Sequence, residues 1–262
     1  MIDCHAHLAS AEFDADRTAV CRRAFAAGVR AVLIVGEDAV DNARVLGVVA
    51  DGAREGSALL PCLGFHPDRF ADGLPLPTRA ETDAAIAQVR AHAPALAAIG
   101  EVGLDYWYTK DPVRRRAQGT LLEELAALSK ELGLPLNVHS RSAGHYAVDL
   151  LFAAGAERVL MHAFDGKAAH AVRAAEAGYL FSVPPSVVRS DQKQKLVRRL
   201  PLESLALESD SPVLGPDRDG RNEPANLTFA RDFIAHVHGV SPERVDEVTT
   251  ANAQRLFLLL AP

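Results

Sequence analysis

Asp3-Cys4-His5-Ala6-His7 carries the strongest chemical signal in the chain. Residues i and i+2 of a strand point to the same face, so in an extended segment His5 and His7 project side by side with Asp3 below them. Two imidazoles placed that way make half of a metal site. The competing reading, two core histidines, requires a buried partner for each ring. Glu208-Ser209-Asp210-Ser211-Pro212 applies the same spacing to acids, putting Glu208 and Asp210 on one face. His139 closes the apolar run LNVH, His162 closes LMH, and Glu101 stands in GEVGLD after LAAI. A lone histidine at a strand end is more often structural. Two at equivalent positions on adjacent strands converge, and imidazole nitrogen with carboxylate oxygen is a donor set for Zn, Mn, Fe, Co or Ni.

The elements that must position these residues are legible as an alternation. Apolar, strand-like segments run from Met1 to Leu8, Val29 to Gly36, Ala58 to Gly64 and Leu96 to Glu101. They continue from Leu134 to His139, Arg158 to Ala163, Gly178 to Val183 and Ser204 to Asp210. Between them lie helical stretches such as Asp14 to Ala27 and Val113 to Leu132, with glycines at several helix ends. Eight strand–helix repeats imply parallel strands with right-handed crossovers, closing into a (β/α)8 TIM barrel over residues 1–262 as one domain. An open doubly wound sheet is the rival, but no G-x-G-x-x-G and no Walker A sequence is present.

Barrel closure sets the eighth strand beside the first, which brings Asp210 to His5 and His7. The expected geometry is one cation held by His5, His7 and Asp210, a second by His139 and His162, and Glu101 bridging them. The catalytic set is Glu101, Asp210, His66 and, as proton acceptor, Glu208, with Asp105 orienting a neighbouring ligand. His66, in GFHP after the third strand, is placed to contact a scissile phosphate. Arg141, two residues beyond His139, joins it as a substrate contact, as do Arg221 and Glu223 in the loop after strand eight. Surface ion pairs explain such arginines and glutamates equally well.

Composition limits the alternatives. The net charge of −6 and a pI near 5.9 argue against a broad basic surface gripping nucleic acid. They leave room for an enzyme whose bound cations supply local positive charge. Cysteines number three with no C-x-x-C, which fits a reducing compartment. No signal peptide is visible at the N-terminus, and the final LFLLLAP is too short to span a bilayer. The expectation is a soluble intracellular protein, cytoplasmic or nuclear, with no membrane association and no obligatory protein partner. A serine-nucleophile G-x-S-x-G motif is absent.

Taken in order, these motifs resemble the TatD family of metal-dependent deoxyribonucleases. The matching stretches are D-x-H-x-H at Asp3, His5 and His7, G-x-H-P from Gly64 to Pro67, and GEVGLDY from Gly100 to Tyr106. VHSR from Val138 to Arg141, HAFDG from His162 to Gly166 and ESDSP from Glu208 to Pro212 follow. RNEP from Arg221 to Pro224 and NAQRLF from Asn252 to Phe257 complete the series across essentially the whole chain. Ser209 stands where the family usually has threonine, keeping the hydroxyl between the two acids.

The resemblance implies a TIM barrel and two or three divalent cations; Zn, Mn, Mg, Fe, Co and Ni are not distinguished. It carries the ligand roles onto His5, His7, Glu101, His139, His162 and Asp210. It also implies DNA phosphodiester hydrolysis, as a 3′ to 5′ exonuclease or at abasic sites, with a place in DNA repair. The substrate partner would be DNA or another phosphodiester. The alternative on the same barrel is a hydrolase of a small phosphoester, cyclic amide or lactone.

Overall fold

A computed structural model describes residues 1–54 and 56–258; the last four positions of the LFLLLAP run lie outside the described residues. The strands are β1 Ile2–Ala6, β2 Ala31–Val35, β3 Leu59–Leu63, β4 Ala98–Gly103, β5 Leu136–His139, β6 Val159–Met161, β7 Leu180–Val183 and β8 Leu205–Leu207. They form one parallel sheet in sequential order. Between β8 and β1 the seam is closed by bonds just past the strand end. Ser209 N donates to Asp3 Oδ1 (2.8 Å), Asp210 N to the His5 carbonyl (2.9 Å) and His7 N to the Ser211 carbonyl (2.8 Å). The expected (β/α)8 barrel is therefore the observed architecture.

The helices are α1 Arg17–Ala26, α2 Ala39–Arg54, α3 Arg79–His92, α4 Pro112–Leu132, α5 Gly144–Ala153, α6 Ala168–Glu176, α7 Asp191–Val197, α8 Leu227–His238 and α9 Pro242–Phe257. Local chemistry fixes their ends. At α4 the Asp111 carboxylate accepts from Val113 N and Arg114 N, Pro112 opens the first turn and Gly133 closes it at φ +65°. Thr78 and Glu81 form a reciprocal capping box on α3. Such a cap contributes about 1 kcal/mol. Buried side chains such as Phe13, Phe164 and Phe181 fill the core, each worth roughly 1.5–3 kcal/mol of apolar burial.

The observed strands are mostly shorter than the apolar runs, because burial continues past the regular strand ends. His7, His162, Glu208 and Asp210 all lie just beyond a strand end. Strand pairing is irregular at two places, between Asp3 and Ala6 in β1 and between Ile99 and Val102 in β4. These intervals contain His5 and Glu101. A local irregularity of this kind re-aims a side chain, and such features concentrate beside active sites.

Candidate active site

Two glycines let β4 approach β5 closely enough for their side chains to meet. A Cβ at Gly100 would lie 2.6 Å from the Asn137 Cβ, and one at Gly103 would collide with the His139 carbonyl. Gly103 also sits at φ +143°, a backbone that side chains rarely adopt. Glu101, between them, is 1% exposed and projects into the barrel mouth. The GEVG sequence is therefore a backbone device for delivering one carboxylate.

That carboxylate faces two groups of donors, one with each oxygen. Oε2 lies 3.3 Å from His5 Nε2 and 3.3 Å from His7 Nε2. The two imidazole nitrogens are 3.3 Å apart, and Asp210 Oδ1 stands 3.6 and 3.4 Å from them. Oε1 lies 2.8 Å from His139 Nδ1, 3.1 Å from His66 Nε2 and 3.5 Å from His162 Nε2.

The first group fits a small divalent cation. Nitrogen and oxygen donors about 2.0–2.1 Å from a tetrahedral ion lie about 3.3–3.4 Å from one another, which matches these separations. Glu101 Oε2 is buried without a hydrogen-bond partner, an expensive arrangement unless an ion faces it. His5, His7 and Asp210 can hold one ion, and His66, Glu101 and His139 another; His5, His162 and Glu208 form a third close group.

Each imidazole is oriented from behind. His5 Nδ1 contacts Asn137 Oδ1 at 2.9 Å, and the Asn137 amide donates to the Cys4 carbonyl. His162 Nδ1 contacts Glu208 Oε2 at 2.9 Å. Asp105 Oδ2 lies 3.3 Å from His139 Nε2. His66 Nδ1 lies 2.8 Å from Asp68 Oδ1, and His7 Nδ1 lies 3.4 Å from Glu37 Oε1. A partner on the far nitrogen fixes ring orientation and raises its basicity as a ligand.

The electrostatics follow from crowding. Burial alone would push His5 down, but Glu101, Asp210 and Glu208 outweigh it and raise the imidazole to about 10. His7, His66 and His139 are raised for the same reason, burial being outweighed by neighbouring carboxylates. Conversely, burial would raise Glu101, yet His66, His5 and His162 hold it well below the usual carboxylate range. Asp3, below the site, is pushed up to about 7, chiefly by burial.

The structure gathers Glu101, His5, His7, His66, His139, His162 and Asp210 at one end of the barrel. His66, expected at the phosphate, turns its Nε2 to Glu101 instead. Asp210 reaches the site from a left-handed backbone at φ +51°. Arg141 lines the same cavity of about 440 Å3.

Glu208, expected as proton acceptor, is fully buried, with Oε2 on Ser182 Oγ (2.5 Å) and His162 Nδ1 and Oε1 on Ala163 N (2.9 Å). Both oxygens are thus engaged by these groups, one of them on the far nitrogen of His162. Arg221 pairs with Asp16 (2.6 Å) and Glu223 with Arg23 (2.5 Å), and both lie outside the cavity lining. Their charges are satisfied in surface ion pairs.

Sequence reasoning missed Asn137, Ser182, Glu37 and Lys193. Asn137 lies two residues before His139 on one strand face, and Glu37 follows β2, so both carried a readable signal. Lys193, on α7, lines the cavity and donates to the Ala163 carbonyl (3.1 Å); nothing in its spacing marked it.

An eight-stranded α/β barrel whose mouth gathers imidazoles and carboxylates around one shared carboxylate defines a metal-dependent barrel hydrolase. Residues 2–258 match the family model described as TatD related DNase, and the chain belongs to that family. Among its relatives, the Homo sapiens protein named deoxyribonuclease TATDN3 is 43% identical, over 98% of this chain and 94% of that protein. The Salmonella typhimurium protein named 3′-5′ ssDNA/RNA exonuclease TatD is 31% identical, over 98% of each. The crystal structure of the TatD homolog YJJV from Escherichia coli superposes with a TM-score of 0.85 at 25% identity, covering 99% of this chain and 98% of that one. Among the described residues, no helix is long and apolar enough to cross a membrane.

Proposed function

We propose that this chain hydrolyses DNA phosphodiester bonds with two divalent cations, working from a 3′ end and at abasic sites, chemistry that would serve DNA repair. The observation that carries the reading is Glu101, which offers one oxygen to His5 and His7, the two imidazoles that Asp210 also faces, and the other to His66, His139 and His162. When bound, the cations supply Lewis acidity at phosphorus and positive charge opposite its oxygens.

The residues of the chain perform the remaining work. His5, His7 and Asp210 hold one side of the centre, with Glu101 common to both sides. Glu208 and Asn137 fix the tautomers of His162 and His5, so that Nε2 of each faces the centre. Arg141 and Lys193 supply cationic contacts at the cavity wall for the phosphate. The 3′ to 5′ polarity is supported by the name of the Salmonella relative and the DNA substrate by that of the human one.

The test is shortening of a 5′-labelled single-stranded oligonucleotide with and without added manganese or magnesium, beside a His5→Ala, His7→Ala double variant. Metal-dependent laddering that the variant lacks is the expected result. A metal-loaded protein that leaves DNA intact but cleaves a small phosphoester, cyclic amide or lactone would replace this reading. Elemental analysis of the purified protein identifies the metal and its stoichiometry.

A further inference from the structure

Beside the cavity mouth, the loop after β4 presents two large rings to solvent. Trp107 is 56% exposed and Tyr108 49%. Exposed aromatic surface of this size next to a catalytic centre needs an explanation in terms of what covers it.

The loop is rigidly tied to the site. Asp105 Oδ1 accepts from both Trp107 N and Tyr108 N at 2.8 Å, while its other oxygen faces His139. Asp105 N donates to Gln118 Oε1 on α4, Tyr106 N donates to the Arg141 carbonyl, and Asp72 N donates to the Tyr108 carbonyl. The turn carrying the rings is thus fixed by the carboxylate that also touches a site histidine.

Cations alternate with the rings. The Arg141 guanidinium lies 4.8 Å from the Tyr108 ring centre and 5.5 Å from that of Trp107. Lys110 Nζ lies 5.5 Å from the Trp107 ring centre. Arg141 also lines the cavity that holds Glu101 and the histidines. One guanidinium therefore touches both the aromatic ledge and the space where a scissile phosphate would sit. Aromatic faces interleaved with cations are the means by which proteins bind single-stranded nucleic acid, the rings stacking on bases and the cations pairing with phosphates.

From this arrangement, and resting on the DNA-hydrolysis reading above, we propose that Trp107 and Tyr108 form a stacking ledge for an unpaired base next to the scissile phosphate. The ledge makes the enzyme selective for single-stranded ends, because the faces of bases inside a duplex are covered by their neighbours. The net charge of −6 accords with it: a local ledge, rather than a basic surface, provides the grip.

Trp107 is the sole tryptophan of the chain, so intrinsic fluorescence reports the ledge directly. A phosphorothioate single-stranded oligonucleotide titrated into the metal-loaded full-length protein should quench it saturably, and the same sequence as a blunt duplex should bind about tenfold more weakly. Tyr108→Ala should weaken the single-strand Kd, read by Trp107 quenching, about tenfold. Trp107→Ala should raise KM for the oligonucleotide by a similar factor, and Trp107→Phe, which keeps a stackable face, should restore it. No quenching, or an unaltered oligonucleotide KM in both alanine variants of a protein that still cleaves DNA, would overturn the ledge and leave the nuclease reading standing. Saturable quenching by a metal-loaded protein that cleaves no DNA would retain the ledge and remove the nuclease reading.

Discussion

The deep and outer halves of the candidate site are built from the same residue types but held differently. In the deep half, His5 and Glu208 are fully buried and His162 nearly so. Their outward contacts go to Asn137, Ser182 and backbone, groups with no access to solvent. In the outer half, His7 leans on Glu37 and His66 on Asp68, carboxylates whose side chains are 40% and 42% exposed. The deep half is a fixed frame. The outer half keeps partners that water and substrate can reach, so it tolerates change while the frame does not. Glu101 belongs to both, and that makes it the place where the two halves become one site.

The largest expected effect is accordingly at Glu101. Glu101→Ala removes one oxygen from each donor group and leaves the surrounding imidazoles without their shared counter-charge. Loss of cation charge opposite the phosphate is worth several kcal/mol, so turnover should fall by more than about 10^3-fold, with metal content falling in parallel by elemental analysis. Retained stoichiometric metal with near-normal turnover would show that the two groups do not depend on a common carboxylate.

Next in size is a paired test of the frame against the outer half. Glu208→Gln keeps the shape but not the charge that holds His162, and outer partners of ligands typically contribute about 10–100-fold in metal affinity. A loss in that range is expected by competition with a chelator. Glu37→Gln, at the exposed end, should cost clearly less. Equal losses would erase the distinction between the halves. If Glu208→Gln abolished turnover with metal affinity intact, a direct proton-transfer role for Glu208 would be supported.

The sequence made the gathered histidines and Glu101 visible and hid most of what supports them. His5 and His7 are two apart on one strand, and Glu101, His139 and His162 each end an apolar run, so local periodicity sufficed. The partners are set by barrel closure. Asn137 meets His5 across 132 positions and Glu208 meets His162 across 46, distances at which no local pattern operates. Strand ends were legible only to within a few residues, because His162 and Asp210 sit past the strand ends yet remain buried. Arg221 and Glu223 looked like substrate contacts because the loop follows β8, but Asp16 and Arg23 on the neighbouring segment claimed them. Surface partners of that kind depend on how α1 packs, which motif spacing does not encode.

The smallest effect separates frame and cation through pH. In the metal-free chain His5 is held at about 10 by the carboxylates around it, against an ordinary value of about 6.5 when unfolded. A raised folded-state value contributes stability that is fully present below about pH 6.5 and is lost as pH rises through about 10. The metal-free protein should therefore lose thermal stability across that window. About 1 kcal/mol moves Tm by roughly 2–4 °C in a protein approaching this size, so the fall should be several degrees. A bound cation replaces the imidazolium charge and requires a neutral His5, so binding should release protons near neutral pH and its affinity should rise with pH. Tm measured from pH 6.5 to 10 with chelator, and again with saturating divalent metal, should give a falling curve in the first case and a flatter one in the second. Parallel curves would mean that His5 carries no charge in the metal-free frame, and that the deep half is held together by its hydrogen bonds alone.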